Sequence, residues 1–258
     1  MIFSDTHTHL YLEEFDEDRG LVIEEAINSG VQYLFLPNVD SSTIAAMLEL
    51  ADKFPGNCFP MIGVHPTSIN ASNVEGEINA VKQWLQKRKF FAIGEIGIDL
   101  YWDKTFLQQQ KTAFNMQVEL SITHHLPLVI HSRNSLDLII QILKTDFINK
   151  PLRAVFHCYP GNLIQAKKLI DMGFMLGIGG VLTYKNAGLA EVVKYIGLEH
   201  ILLETDAPYL TPVPYRGKRN KSLYILNIAQ KLAEIKKVSL ETVAEITANN
   251  ALCFFGLK

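Results

Sequence analysis

The amino-acid sequence predicts an α/β fold, a (β/α)8 TIM-type barrel, on three observations. Short apolar runs alternate with amphipathic segments along the whole chain, the pattern of strands each followed by a helix. The length of 258 residues suits such a barrel and is long for a single sandwich. Ionisable side chains recur just past the ends of the apolar runs, where a parallel barrel exposes its loops. A doubly wound open sheet is the alternative arrangement.

Strands are expected at 2–4, 32–36, 58–63, 90–94, 128–130, 154–156, 174–176 and 201–203, each a compact apolar run. Helices are expected near 17–29, 41–53, 76–88, 105–124, 134–144, 163–172 and 188–196, with two more near 221–235 and 240–254. Ser239 is placed to cap the last helix, ahead of Leu240 and Glu241. In the helix near 105–124, Phe106, Gln110, Phe114 and Gln117 form a stripe assigned to packing against the barrel. No internal repeat and no Pro-, Gly- or Ser-rich linker divides the sequence, so residues 1–258 are read as one domain.

A hydrophobic content of 48% supplies a large core, yet no segment is long and apolar enough to span a membrane. The N-terminus lacks the basic-then-apolar pattern of a secretory signal. Three cysteines, Cys58, Cys158 and Cys253, are an odd number without close spacing, which points to a reducing, cytoplasmic setting rather than a disulfide framework. The net charge of -3 argues against a broadly basic nucleic-acid-binding surface but allows a local basic rim. Nothing in the sequence calls for an obligate protein partner.

The first turn, Asp5-Thr6-His7-Thr8-His9, follows the first apolar run. Alternate side chains of an extended strand share a face, so His7 and His9 project together and make half of a metal site. Further ionisable residues stand at other strand ends: His65 after the third, Glu95 after the fourth, His131 after the fifth, His157 after the sixth and Asp206 after the eighth. Any one of these could be a hydrogen-bonded core residue. Seven such residues at equivalent strand ends argue for one shared site.

These stretches resemble the TatD-like metal-dependent hydrolases of the amidohydrolase superfamily. The resemblance rests on Asp5-Thr6-His7-Thr8-His9, Gly63-Val64-His65-Pro66, Ile93-Gly94-Glu95-Ile96-Gly97-Ile98-Asp99 and Pro127-Leu128-Val129-Ile130-His131-Ser132-Arg133. It continues through Phe156-His157-Cys158, Thr183-Tyr184-Lys185-Asn186, Leu203-Glu204-Thr205-Asp206-Ala207-Pro208-Tyr209-Leu210 and Arg216-Gly217-Lys218-Arg219-Asn220. It implies a distorted barrel, one or two divalent ions (magnesium, zinc or manganese), and hydrolysis of DNA phosphodiesters, single-stranded or at strand ends, in the manner of an exonuclease. Carried over by position, His7, His9 and Asp206 would hold one metal, His131 and His157 a second, with Glu95 bridging. The chain departs from the family pattern at Leu100 before Tyr101 and Trp102, at Tyr159-Pro160-Gly161, and at Lys221-Ser222. All three lie in loops that would touch substrate.

Imidazole and carboxylate ligands without thiolate suit these metals. A metal ion lowers the pKa of bound water from about 15.7 to about 7, and Asp206 is the candidate general base beside that water. Glu204 is expected to orient a ligand histidine. His65, Arg133 and Lys185 are candidate substrate contacts, and Arg216 and Arg219 belong to a basic run expected to grip flanking phosphates. Tyr101 and Trp102 could stack on a base. Hydrolysis of another ester, amide or aminoacyl bond by the same centre is the competing enzymatic reading; a binding barrel that has lost catalysis is the third.

Overall fold

The computed structural model describes residues 1–258 and contains eight strands and nine α-helices. The strands are β1 (Phe3–Asp5), β2 (Val31–Pro37), β3 (Cys58–Met61), β4 (Ile93–Asp99), β5 (Leu128–Arg133), β6 (Ala154–Phe156), β7 (Met175–Ile178) and β8 (Ile201–Leu203). The helices are α1 (Arg19–Asn28), α2 (Ile44–Lys53), α3 (Val74–Lys87), α4 (Leu107–His124), α5 (Leu136–Thr145), α6 (Leu163–Asp171), α7 (Leu189–Tyr195), α8 (Ile225–Lys236) and α9 (Leu240–Phe254). All strand pairs are parallel, in one arc β1-β2-β3 and another β4-β5-β6-β7-β8.

The arcs meet at two seams, each closed by an isolated bridge and the backbone hydrogen bonds beside it. Ile62 bridges Ile93 at one seam, where Ile62 N–H donates to the Ala92 carbonyl at 3.1 Å and Gly94 N–H to that of Ile62 at 2.9 Å. Thr8 bridges Ala207 at the other, where Thr6 N–H donates to Leu203 at 3.0 Å and Asp206 N–H to His7 at 2.9 Å.

Inside the barrel, Phe35, Phe59, Met61, Ala92, Val129, Val155 and Leu202 form a compact apolar cluster with Phe254 and Phe255 from the end of α9. Strand alternation puts His131 two residues above Val129, His157 above Val155 and Glu204 above Leu202 on the same inward columns. The columns are apolar below and polar above. Around them, a larger apolar cluster joins the outward strand faces to the helices.

β4 begins and ends later than the sequence predicts. Gly94, Glu95, Gly97 and Asp99 look like loop residues, but pairing with β5 from Ile93↔Leu128 to Asp99↔Arg133 carries the strand through them. Glu95 therefore stands inside β4, and His131 inside β5, rather than beyond their ends. Gly97 is needed there: at φ +147 a Cβ would sit 2.0 Å from the His131 carbonyl oxygen. Of the predicted stripe, Gln110, Phe114 and Gln117 are buried on α4 while Phe106 precedes the helix and is half-buried, and the buried glutamines do more than fill space. Gln110 accepts from Asp99 N–H at 2.9 Å, and Gln117 from Val64 N–H at 2.7 Å. Ser239 caps α9 by accepting from Thr242 N–H at 3.1 Å.

Candidate metal centre

Five imidazoles surround the Glu95 carboxylate, which is 3% exposed at the barrel mouth. On its Oε2 side lie His7 Nε2 at 3.0 Å and His9 Nε2 at 3.6 Å, with Asp206 Oδ1 3.6 Å from His9 and 3.7 Å from His7. On its Oε1 side lie His157 Nε2 at 2.8 Å, His131 Nδ1 at 3.1 Å and His65 Nε2 at 3.3 Å. The structure thus brings together every residue the sequence nominates for metal.

His9, His131 and His157 each have a polar group behind the ring, whereas the buried His7 Nδ1 has no hydrogen-bond partner. Tyr11 donates its hydroxyl proton to the Pro37 carbonyl at 2.5 Å, so at 3.1 Å from His9 its oxygen can only accept. His9 then carries its proton on Nδ1 and turns the Nε2 lone pair inward. Asp99 Oδ2 lies 2.9 Å from His131 Nε2 and fixes that proton outside, which turns the Nδ1 lone pair inward. Glu204 lies 3.6 Å from His157 Nδ1 and also accepts from the Cys158 N–H. Gly177 makes room for it, because a Cβ there would stand 2.4 Å from Glu204 Oε2. Asp5 faces away from the centre: it accepts from Thr205 N–H at 2.8 Å and Thr205 O–H at 2.6 Å, fixing the loop that carries Asp206. Asp206 itself adopts a left-handed φ of 58, a conformation short polar residues tolerate.

This donor set fits divalent ions. Two atoms about 2.0–2.2 Å from one ion at near-tetrahedral or octahedral angles lie about 2.8–3.6 Å apart. His7 Nε2 and His9 Nε2 are 3.2 Å apart, and His131 Nδ1 and His157 Nε2 are 3.3 Å apart. Inward lone pairs on His9 and His131 face carboxylate oxygens, an acceptor-to-acceptor arrangement that a cation resolves. The protonation tendencies agree. Burial works to raise the Glu95 carboxyl, but His157, His65 and His7 outweigh it and hold it well below the usual range. Burial also opposes charging of His131 and His157, yet nearby carboxylates push both pKa values up. Burial lowers those of His7 and His65. Against its own burial, Asp99 is held at about 2 by His131 and the backbone N–H groups of Tyr101 and Trp102.

The centre floors a cavity of about 640 Å³ whose walls include His65, Thr67, Trp102, Arg133 and Tyr209. The Arg133 guanidinium lies 3.8 Å over the Tyr101 ring and 5.3 Å from that of Trp102, and both aromatics are exposed. The basic run behaves differently from its sequence expectation. Arg219 is committed to Asp18 at 2.6 Å, to the Glu14 carbonyl and to the face of Phe15, while Lys221 pairs with Glu25 at 2.6 Å. Because β8 closes beside β1, this loop is stitched to the β1–α1 connection, and Arg219 points there rather than into the cavity. Arg216 lies over Tyr184 at 3.9 Å, and neither it nor the exposed Lys185 lines the cavity.

Sequence reasoning missed Tyr11, Asp99 and Thr67 as parts of the centre. A signal existed for Asp99, which shares the Glu95 face of β4 by strand alternation.

A parallel barrel with a histidine–carboxylate centre at the C-terminal mouth of its strands defines a class of metal-dependent hydrolases. The family model for TatD related DNase matches residues 4–256, and the chain belongs to this family. An uncharacterized metal-dependent hydrolase of Bacillus subtilis, YabD, is 36% identical with both chains covered in full. The uncharacterized metal-dependent hydrolase YjjV of Escherichia coli is 28% identical over 99% of this chain and 98% of its own. The crystal structure of that TatD homologue superposes with a TM-score of 0.91 at 27% identity, covering 99% of this chain and 98% of the other. A TatD family hydrolase of Entamoeba histolytica shares the fold, with a TM-score of 0.86 at 23% identity and 98% of each chain covered.

Proposed function

We propose that this metal-dependent hydrolase is a deoxyribonuclease that cleaves DNA phosphodiester bonds, acting on single strands or strand ends. The observation that carries the reading is the Glu95 carboxylate placed between two metal-sized donor sets, one on each oxygen. His7, His9, Asp206 and Glu95 Oε2 would hold one divalent ion; His131, His157 and Glu95 Oε1 would hold the other. Ions bound there supply Lewis acidity and a water whose pKa falls from about 15.7 to about 7.

The chain's own groups do the rest. Asp206, 13% exposed at its side chain, faces the cavity beside His7 and His9 and accepts the proton of the attacking water. Asp99, Tyr11 and Glu204 hold His131, His9 and His157 in place, so little reorganisation is needed during the reaction. Arg133 at the rim meets a phosphate oxygen, and its stacking on Tyr101 and Trp102 keeps the guanidinium oriented. The unpaired cysteines suit a cytoplasmic setting.

The test is a substrate panel for protein reconstituted with zinc, manganese or magnesium: labelled single- and double-stranded DNA, RNA, a chromogenic phosphodiester, and amide and aminoacyl esters. Cleavage of DNA ahead of RNA and amides is expected. Turnover confined to amide or aminoacyl bonds would overturn the reading in favour of the other hydrolytic chemistry.

A further inference from the structure

Distance alone would admit His65 to the metal ligands, since its ring nitrogen, Glu95 and His131 offer ligand atoms within 4.8 Å of one another. Its surroundings say otherwise. His65 opens the short turn Pro66–Ser68, and the Thr67 backbone N–H donates to His65 Nδ1 at 3.2 Å. A backbone N–H has no lone pair, so Nδ1 must be the acceptor. The Thr67 hydroxyl lies 2.6 Å from the same nitrogen and, with Nδ1 as the acceptor, shares its lone pair with the N–H. The single proton of the neutral ring is therefore on Nε2, which points at Glu95 Oε1 from 3.3 Å.

The other two histidines with assignable tautomers are set the opposite way. His9 and His131 each give their proton to a group behind them and present a lone pair to the centre. His65 alone of these three presents an N–H. The turn that imposes this is held firmly: His65 N–H donates to the Val39 carbonyl at 2.7 Å, Ser68 N–H to the His65 carbonyl at 3.0 Å, and Ser68 O–H to Asp40 at 3.0 Å. The other tautomer, with the lone pair on Nε2, would set an Nδ1–H against the N–H of Thr67.

We infer that His65 is not a metal ligand but a fixed hydrogen-bond donor of the catalytic site, its Nε2–H shared with Glu95 until substrate arrives and then given to a non-bridging oxygen of the ester undergoing attack. His65 transfers no proton in this role, because a neutral imidazole that lost one would be left as an anion. It stabilises the charge that grows on that oxygen, in the way of an oxyanion-hole donor placed before the reaction begins. Thr67, in the wall of the same cavity, is the positioning residue that sets its tautomer. This assignment rests on the phosphodiesterase reading only for the identity of the oxygen; the tautomer and the non-ligand status stand apart from it.

Three measurements test it. Nitrogen-15 NMR of the zinc-loaded protein should show His65 Nδ1 unprotonated and Nε2 protonated. In His65→Ala, the metal bound per chain should equal that of the wild type, while kcat on whichever panel substrate is turned over should fall about 10²–10³-fold with a smaller change in KM. His65→Gln, whose amide N–H reaches toward the position of Nε2, should recover part of that loss. A protonated Nδ1, loss of a metal equivalent in His65→Ala, or retention of kcat within about twofold would each overturn the inference. If His65→Ala does not fold, the tautomer and the metal content of His65→Gln decide. A panel in which DNA is not cleaved would count against the proposed substrate and leave the tautomer and metal results to judge His65.

Discussion

Tyr11 and Asp99 never touch the centre's interior, yet the direction of two lone pairs depends on them. Without the Tyr11 hydroxyl, His9 Nδ1–H would lose its acceptor while 4% exposed, a loss worth about 1–3 kcal/mol for a buried donor. Tyr11→Phe and Asp99→Ala should each weaken metal affinity by about 10–100-fold, the usual effect of removing the partner behind a ligand histidine. Competition with a chromogenic zinc chelator measures this; unchanged affinity in both variants would mean the rings are held by packing alone. Asp206→Asn separates chemistry from assembly. The amide matches the carboxylate in size but cannot take a proton, so at saturating metal kcat should fall about 10²–10⁴-fold while the thermal midpoint hardly moves. Wild-type turnover in the metal-saturated variant would remove Asp206 from the role of base.

Two elements decide how the centre is built, and each carries a prediction. β7 runs beside β8, and Gly177 leaves the gap that Glu204 fills; a Cβ there would also lie 2.8 Å from the His157 Cα. Gly177→Ala should therefore displace Glu204 and His157 together, lowering metal affinity on the His131–His157 side more than Glu204→Gln does. The β8–α8 connection, stitched by Arg219 and Lys221 to the β1–α1 side, should contribute to folding more than to substrate. Arg219→Ala should leave the salt dependence of single-stranded DNA binding unchanged, whereas Arg133→Ala should reduce the log–log slope by about 0.7 if its guanidinium neutralises one phosphate. The reverse ranking would restore the basic run as the phosphate grip. These elements also show what the sequence could and could not reveal. β6, β8 and α9 fall on their predicted bounds because apolar runs and a serine cap mark them. β4 is misplaced because two glycines and two acids hide a strand that only its pairing with β5 makes visible. The residues converging on Glu95 were legible from their recurrence at strand ends. The commitment of Arg219 to Asp18 and Phe15 was not, since it depends on which loops become neighbours when the barrel closes.

At the scale of the whole molecule, the donor sets span the seams at which the two arcs of the barrel meet. The arcs β1–β3 and β4–β8 meet only through the isolated bridges Thr8↔Ala207 and Ile62↔Ile93 and a few bonds beside them. His7 and His9 belong to the first arc, while Glu95, His131, His157 and Asp206 belong to the second. An ion held by His7, His9, Glu95 and Asp206 would tie one arc to the other at the β8–β1 seam, and Glu95 extends the tie to β4, next to the β3–β4 seam. Bound ions favour the folded state by mass action, about 2.7 kcal/mol for one site at a hundredfold excess over Kd. At about 2–4 °C per kcal/mol for a chain of this size, chelation should lower the thermal midpoint by about 5–10 °C. The loss should also be local. Amides that close the seams, such as Thr6, His9, Asp206 and Gly94, should exchange with deuterium faster after metal removal, while those joining β5 to β6 within one arc should change least. Uniform acceleration across all strands would mean the ions stabilise the barrel as a whole. No change at the seams, in protein shown to have lost its metal, would mean the backbone bonds there suffice to hold the arcs together.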